Sequence, residues 1–391
     1  MSTPPQPALV GRLLTALDAA MPNQLAVVLA EVLGADAGVG SASLLLADYD
    51  LLTLRRLAGP QLDVVESVPI DADGPGQAFV IQAPVVTPLD DDVRICVPVS
   101  VRAERMGVLE VLAADAGTEL VSLLLEVGIL LGYLLSTAGQ YSDLLERARR
   151  ERPLVLSAEL QWSMLPVRAY AGQRFSVAGQ LVPAYEVGGD LFDYAVGSSN
   201  VQVTSLDAMG HGLNASLLSA LAVSALRNAR RTGLSLVDQL RFMDKLLWGQ
   251  FGGEQFVTAL SLLLDLDSGV VAVANAGHPD LLRLRAGRVT PLGLEPQLPL
   301  GMFPAVRYEQ QSLAVQPGDR LVLVSDGVLE AAPAHRPAVE EFGESRLAGA
   351  LLATATLPPG EAVRHVVRLV RDYQEDDLRD DATVICLDWH G

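Results

Sequence analysis

Gly188-Gly189-Asp190-Leu191-Phe192-Asp193-Tyr194-Ala195-Val196-Gly197-Ser198-Ser199-Asn200-Val201-Gln202-Val203-Thr204-Ser205-Leu206-Asp207-Ala208-Met209-Gly210-His211-Gly212 decides how the second half of the chain is built. Two apolar runs, 191–196 and 201–206, flank the turn residues Gly197-Ser198-Ser199-Asn200 and read as a hairpin. The same pattern recurs outward. Runs 256–266 and 270–275 flank Asp267-Ser268-Gly269, and 281–285 meets Val289 across Ala286-Gly287-Arg288. Further strands are expected at 320–325 and 383–389, and helices at 213–231, 236–248, 340–353 and 361–373. Hairpins make antiparallel neighbours, and helix pairs between strand groups pack on sheet faces. The expected fold is α+β, a sandwich of two antiparallel sheets flanked by helix pairs, rather than a doubly wound parallel sheet.

The chain has 391 residues, enough for two or three domains at roughly 150 each. Half of it is hydrophobic and 19% charged, so a large core is available. Its 28 basic and 47 acidic residues leave −19, which argues against a protein whose task is to hold nucleic-acid phosphates. A basic protein partner remains compatible with that charge. Cys96 and Cys386 lie far apart in apolar runs and read as buried thiols in a reducing, cytoplasmic setting. Two cysteines and five histidines supply a zinc site poorly. The single lysine, Lys245, follows Asp244, so no Gly-Lys-Ser/Thr phosphate loop exists. The first ten residues carry three prolines and no positive charge, unlike a secretory signal. Glu126 interrupts the apolar stretch 120–135, and the uncharged part is shorter than the ~20 residues of a membrane span, so no membrane helix is expected.

Residues 1–119 read as a small α/β sensor domain: a helix near 25–32, strands at 42–46, 51–57 and 93–101, the turn Asp73-Gly74-Pro75-Gly76, and a closing hairpin over 106–112. Val97-Pro98-Val99 followed by Gly107-Val108-Leu109-Glu110-Val111 resembles the end of a GAF domain. That resemblance implies a site for a small-molecule or protein effector, or a purely structural version of the fold. Residues 120–165 form a helical connector. Leu124, Val127, Leu131, Leu134, Ala138, Tyr141, Leu145 and Ala148 alternate spacings of three and four, a heptad seam suited to a parallel homodimer through 124–148 or to burial on its own domain. Pro153 breaks the helix, and a second helical stretch ends at Pro166. Residues 166–391 form the sandwich.

Four acidic sites of the sandwich stand at strand ends or tight turns: Asp190 after Gly188-Gly189, Asp207 before Ala208-Met209-Gly210, Asp326 before Gly327, and the pair Asp380-Asp381. Neighbouring glycines let backbone approach an ion closely. Several carboxylates together need a cation between them, and oxygen-only sets suit Mg²⁺ or Mn²⁺. Two such ions can acidify a water and clamp a phosphoryl group.

The set resembles the metal-dependent PP2C-type serine/threonine phosphatases, in particular the bacterial branch named for the stage II sporulation protein E. Besides these acids it rests on Leu160-Gln161-Trp162-Ser163-Met164-Leu165-Pro166, Phe256-Val257-Thr258, Asn275-Ala276-Gly277-His278-Pro279 and Ser325-Asp326-Gly327. The resemblance implies two ions, Mn²⁺ or Mg²⁺, with Asp190 and Asp207 as central ligands and Asp207 bridging. The Ala208 backbone carbonyl would be a further ligand, Asp326 and Asp380 would complete the second ion's shell, and Asp381 would stand behind the ligands. It also implies direct attack of metal-activated water on phosphoserine or phosphothreonine of a bacterial regulator, such as an anti-sigma-factor antagonist. His211 would reach the leaving oxygen or fix its loop, and His278 would make a structural hydrogen bond. Related enzymes use an arginine for the substrate phosphate, but Pro183-Ala184-Tyr185-Glu186-Val187 has none. A signal would pass as a shift of the helices over 124–165.

Two other readings compete. Gly210-His211-Gly212-Leu213-Asn214-Ala215 fits a dinucleotide fingerprint, but no acid ends a second strand some 20 residues on, and the hairpins contradict a parallel βαβ unit. A non-catalytic scaffold that binds phosphoprotein on the same fold is the other.

Overall fold

In a computed structural model the chain is described over residues 6–37, 39–58, 63–182, 188–333, 340–375 and 381–391. It divides into two compact units, Met1–Pro153 and Leu154–Gly391. The first unit runs α1 (Gln6–Ala19), a 3-10 turn (Pro22–Gln24), α2 (Leu25–Ala37), β1 (Ser41–Ala47), β2 (Thr53–Ala58), β3 (Asp63–Pro69), α3 (Pro75–Ile81), β4 (Val85–Pro88), β5 (Val93–Val101), β6 (Glu104–Ala113), α4 (Thr118–Ala138) and α5 (Leu144–Arg149). Its strands form one antiparallel sheet ordered β3-β2-β1-β6-β5-β4.

Alternation along those strands gives the sheet two apolar faces. Leu44, Leu46, Ile95, Val97, Val99, Leu109 and Val111 pack under α1, α2 and α4. Leu45, Leu54, Cys96 and Val108 pack on the other side against Ala78 and Phe79 of α3. The Gly74-Pro75 turn starts α3: Gly74 takes a positive φ of 75° and Pro75 is preset for the first helical turn.

The helical connector is interrupted. Helix α4 ends at Ala138 and α5 starts at Leu144, so 124–148 is not one helix. Leu124, Val127, Leu131, Ala138, Leu145 and Ala148 all lie in the core of the first unit. A seam of three-and-four spacing serves a sheet as well as a partner helix, and here the sheet takes it. Leu134 is only half-buried and Tyr141 is 68% exposed. Dimerisation through that seam would require opening this core. Two glycines bring α4 down on β5: a Cβ at Gly128 would lie 2.4 Å from the Pro98 carbonyl oxygen, and one at Gly132 2.8 Å from that of Ser100. With 21 residues and a mean hydropathy of 2.0, α4 is also longer than the sequence reading allowed, long and apolar enough to cross a membrane by length and composition.

The second unit contains α6 (Leu156–Met164), β7 (Ala169–Ala171), β8 (Phe175–Val182), β9 (Asp190–Val196), β10 (Asn200–Ala208), α7 (Leu213–Arg231), α8 (Leu236–Phe251), β11 (Val257–Asp265), β12 (Val270–Ala276), β13 (Leu282–Arg285), β14 (Arg288–Pro291), β15 (Gln311–Ala314), β16 (Arg320–Val324), α9 (Asp326–Leu329), α10 (Gly343–Ala353), α11 (Pro359–Tyr373) and β17 (Ala382–Trp389). Two antiparallel sheets form, β15-β12-β11-β10-β9 and β14-β13-β16-β17-β8-β7. Phe192, Val203, Leu262 and Val273 from the first meet Val177, Leu323, Ile385 and Trp389 from the second in the inner core. The outer face of the first sheet, with Leu191 and Leu206, packs on Leu218, Ala222 and Leu226 of α7 and Leu240, Met243 and Leu247 of α8. Val363, Val366, Val367 and Val370 make the buried stripe of α11. The hairpins and helix pairs stand where the sequence placed them, giving the α+β sandwich of antiparallel sheets.

Candidate metal centre

The β9–β10 register places Asp190 directly opposite Asp207, at the end of the sheet where β9 begins and β10 finishes. On the other side of β10, Ala208 pairs with Val257 and Asp207 with Thr258. Asp190 is 2% exposed and Asp207 half-buried. Burial pushes the Asp190 carboxyl well above the usual carboxylate range, and the nearby Asp207 and Asp381 charges add to the rise. The hydroxyls of Ser325 and Thr383, from the second sheet, face the same carboxyl and pull the other way. Asp190 Oδ2 is buried without a hydrogen-bond partner. An acceptor oxygen hidden from water in this way costs free energy unless a cation or donor meets it.

Asp381 is turned inward as a clamp. Its Oδ2 accepts the Gly189 N–H at 2.7 Å, the Asp190 N–H at 3.1 Å and the Gln161 amide at 2.8 Å. The Gln161 amide also donates to the Asp190 carbonyl at 2.6 Å. Both neighbours are acceptors, so the nitrogen of the amide must face them, and both its N–H bonds are used. Gln161 is 1% exposed and lies on α6. Its role was not read from the sequence, although it stands within Leu160-Gln161-Trp162; only the fold reveals that it reaches across to β9 and the start of β17.

Asp326 opens α9, half-buried and one residue from Ser325, whose N–H donates to the Thr383 carbonyl. Gly327 is indispensable there, because a Cβ would lie 1.9 Å from the Asp381 carbonyl oxygen. That close approach draws Asp326 and Asp381 to the same end of the second sheet. Asp380 and the stretch 183–187 lie outside the described residues. His211 is exposed in a loop whose flanking glycines, Gly210 and Gly212, have φ of 92° and 72°. His278 is buried, its Nδ1 2.9 Å from Thr258 Oγ1, and burial pushes it down to about 3. It is therefore neutral near pH 7. Asn275 bonds both backbone groups of His278, closing the turn.

Among the described residues, no three Asp, Glu, His or Cys side chains converge as a finished metal cage. The described oxygens nonetheless fit part of one. Asp190 Oδ2, the Asp207 carboxylate and the Ala208 carbonyl sit at one sheet end, where Gly189 lies so close that a Cβ would be 3.1 Å from that carbonyl oxygen. An all-oxygen set with a destabilised carboxylate suits a hard divalent cation.

Two antiparallel sheets between helix pairs, with aspartates gathered at one end, define a PP2C-like fold. A solved PP2C domain of SiaA from Pseudomonas aeruginosa superposes with a TM-score of 0.50 at 22% identity, covering 59% of this chain and 93% of that one. Residues 197–390 match the family described as stage II sporulation protein E (SpoIIE). Phosphoserine phosphatase RsbU of Bacillus subtilis is 22% identical over 237 residues, 59% of this chain and 68% of RsbU. Phosphoserine phosphatase RsbP of the same organism is 28% identical over 150 residues, 37% of each chain. The second unit of this chain is a SpoIIE-type, PP2C-like phosphatase domain, similar to those of RsbU and RsbP.

Proposed function

We propose that the chain is a metal-dependent protein serine/threonine phosphatase whose substrate is a phosphorylated bacterial signalling protein, such as an anti-sigma-factor antagonist. The observation that carries the reading is the pairing of Asp190 with Asp207 across β9 and β10, with Asp190 Oδ2 buried and unmatched. Two ions, Mn²⁺ or Mg²⁺, would be held by Asp190, Asp207, the Ala208 carbonyl, Asp326 and Asp380; when bound they polarise water and phosphoryl oxygens.

The chain's own residues do the rest. Asp381 and Gln161 hold the backbone on either side of Asp190, so the ligand is oriented before any ion arrives. Met209 is 51% exposed beside Ala208, leaving that rim open to a protein substrate. His211, exposed in its loop, would meet a leaving serine oxygen and pass it a proton. Control by an effector at the first unit would act through α6, because any shift of that helix moves Gln161 against Asp190 and Asp381. The chain would work in the cytoplasm.

Hydrolysis of p-nitrophenyl phosphate, with Mn²⁺ titrated, tests this against Asp207→Asn and Asp326→Asn. Near-complete loss in both is expected. The incomplete cage among the described residues favours a second reading, a phosphoprotein-binding scaffold without turnover. A wild type inert at every Mn²⁺ concentration would establish that reading instead.

A further inference from the structure

Next to the metal centre, residues 297–309 form a loop that is held unusually firmly for one with an apolar surface. The Gln297 side chain closes its base, accepting the Glu309 N–H at 2.6 Å and donating to the Glu309 carbonyl at 2.8 Å. Inside, Asp244 of α8 accepts from the Gly301 N–H at 2.9 Å and from the hydroxyl of fully buried Tyr308 at 3.2 Å. Leu300 and Val257 exchange backbone hydrogen bonds of 2.8 and 3.0 Å, and Val257 pairs with Ala208. Leu300 is thus two strand spacings, about 10 Å, from the proposed ligand carbonyl. On this pinned frame Leu298 and Phe303 stay 47% and 43% exposed. With Pro304, Val306 and Arg307 they line a solvent-open pocket of about 580 Å³. Arg307 is exposed and makes no ion pair among the described residues, although the chain carries −19.

We propose that this loop docks the phosphorylated protein substrate, taking an apolar side chain of the substrate between Leu298 and Phe303 and offering Arg307 to its acidic charge. The inference rests on the phosphatase reading and deepens it. A phosphoserine in the metal centre carries chain on both sides, and extended chain advances about 3.3 Å per residue. The pocket side chains Leu298 and Phe303 lie two and three residues along the loop from Leu300, so the substrate residue that reaches them stands a few positions from the phosphoserine. A rigid apolar pocket buries it at little entropic cost, and a cation there offsets the repulsion between a net-acidic enzyme and an anionic substrate.

The test compares phosphoserine peptides carrying leucine or serine at each position two to four residues from the phosphoserine, with p-nitrophenyl phosphate as reference and Mn²⁺ present. Wild type is expected to prefer leucine at one such position by about tenfold or more in kcat/KM, the scale of burying one leucine side chain. Leu298→Ser combined with Phe303→Ser should bring that preference to about twofold or less, and lower the peptide-to-aryl-phosphate ratio of kcat/KM. Arg307→Glu should lower the same ratio most for peptides with acidic flanks, and more at low salt. No leucine preference in wild type, or an intact preference in the double variant, overturns the docking site while leaving aryl phosphate turnover as support for the phosphatase. A wild type inert toward p-nitrophenyl phosphate overturns the phosphatase reading and this inference with it.

Discussion

Replacing Gln161 by methionine tests whether α6 holds the metal centre in shape. The change conserves volume, so the core stays filled, but it deletes both N–H bonds that reach the Asp190 carbonyl and Asp381 Oδ2. Asp381 keeps its two backbone donors, Gly189 and Asp190, so the carboxylate is loosened rather than abandoned. A buried carbonyl left without its donor costs about 1–3 kcal/mol, and a hydrogen bond to a charged oxygen is worth about 1.5–3. Part of that falls on folding and part on the geometry offered to an ion. Partners behind metal ligands typically govern about 10–100-fold in affinity, or about 1.4–2.8 kcal/mol. The Mn²⁺ activation curve of Gln161→Met should shift to higher concentration by that factor, with kcat largely recovered at saturation. An unchanged curve in a variant that is merely less stable to urea would refute the reasoning, since Gln161 would then be core packing alone.

Asp190→Asn should abolish turnover yet stabilise the protein kept in EDTA at neutral pH. The folded-state pKa of Asp190 is raised above 3.8, so the folded state holds its proton longer, and metal-free stability should fall as pH rises from about 3.8 through the raised value. Thermal melts against pH should show that fall in wild type and lose part of it in the variant. Gly128→Leu should destabilise the first unit by about 1–3 kcal/mol or more, because the Pro98 carbonyl backbone cannot yield to a new side chain; urea unfolding checks it. Asp193, 2% exposed, pairs with Arg227 and Arg230, and Arg227 also donates to the Met164 carbonyl at the end of α6. Asp193→Ala leaves both arginines without that partner and should cost about 3 kcal/mol in chemical denaturation.

Much of the second unit was legible because its signals are local. The turn Gly197-Ser198-Ser199-Asn200 and the period-two runs beside it fix β9 and β10, and the four-residue spacing of Leu218, Ala222 and Leu226 fixes α7. Short strands such as β7 and β15 escaped notice, being too brief for a period to register. Helix α1 also passed unread, behind the prolines that precede it. The connector's stripe left two outcomes open, since the same apolar spacing suits a partner helix or a sheet. Gly128 and Gly132, which bring α4 close to β5, look like ordinary helix interruptions in one dimension.

By itself, then, the sequence determined the strand and helix grammar of the sandwich and the set of aspartates at its turns, because hydrogen-bonded periodicity and turn chemistry act over a few residues. Only the tertiary structure decided that Asp190 loses its solvent, that Asp381 is spent on backbone N–H groups, and that Gln161 on α6 ties them together. Desolvation and long-range hydrogen bonds depend on which segments meet, across 220 positions between Gln161 and Asp381, and no local pattern encodes that meeting.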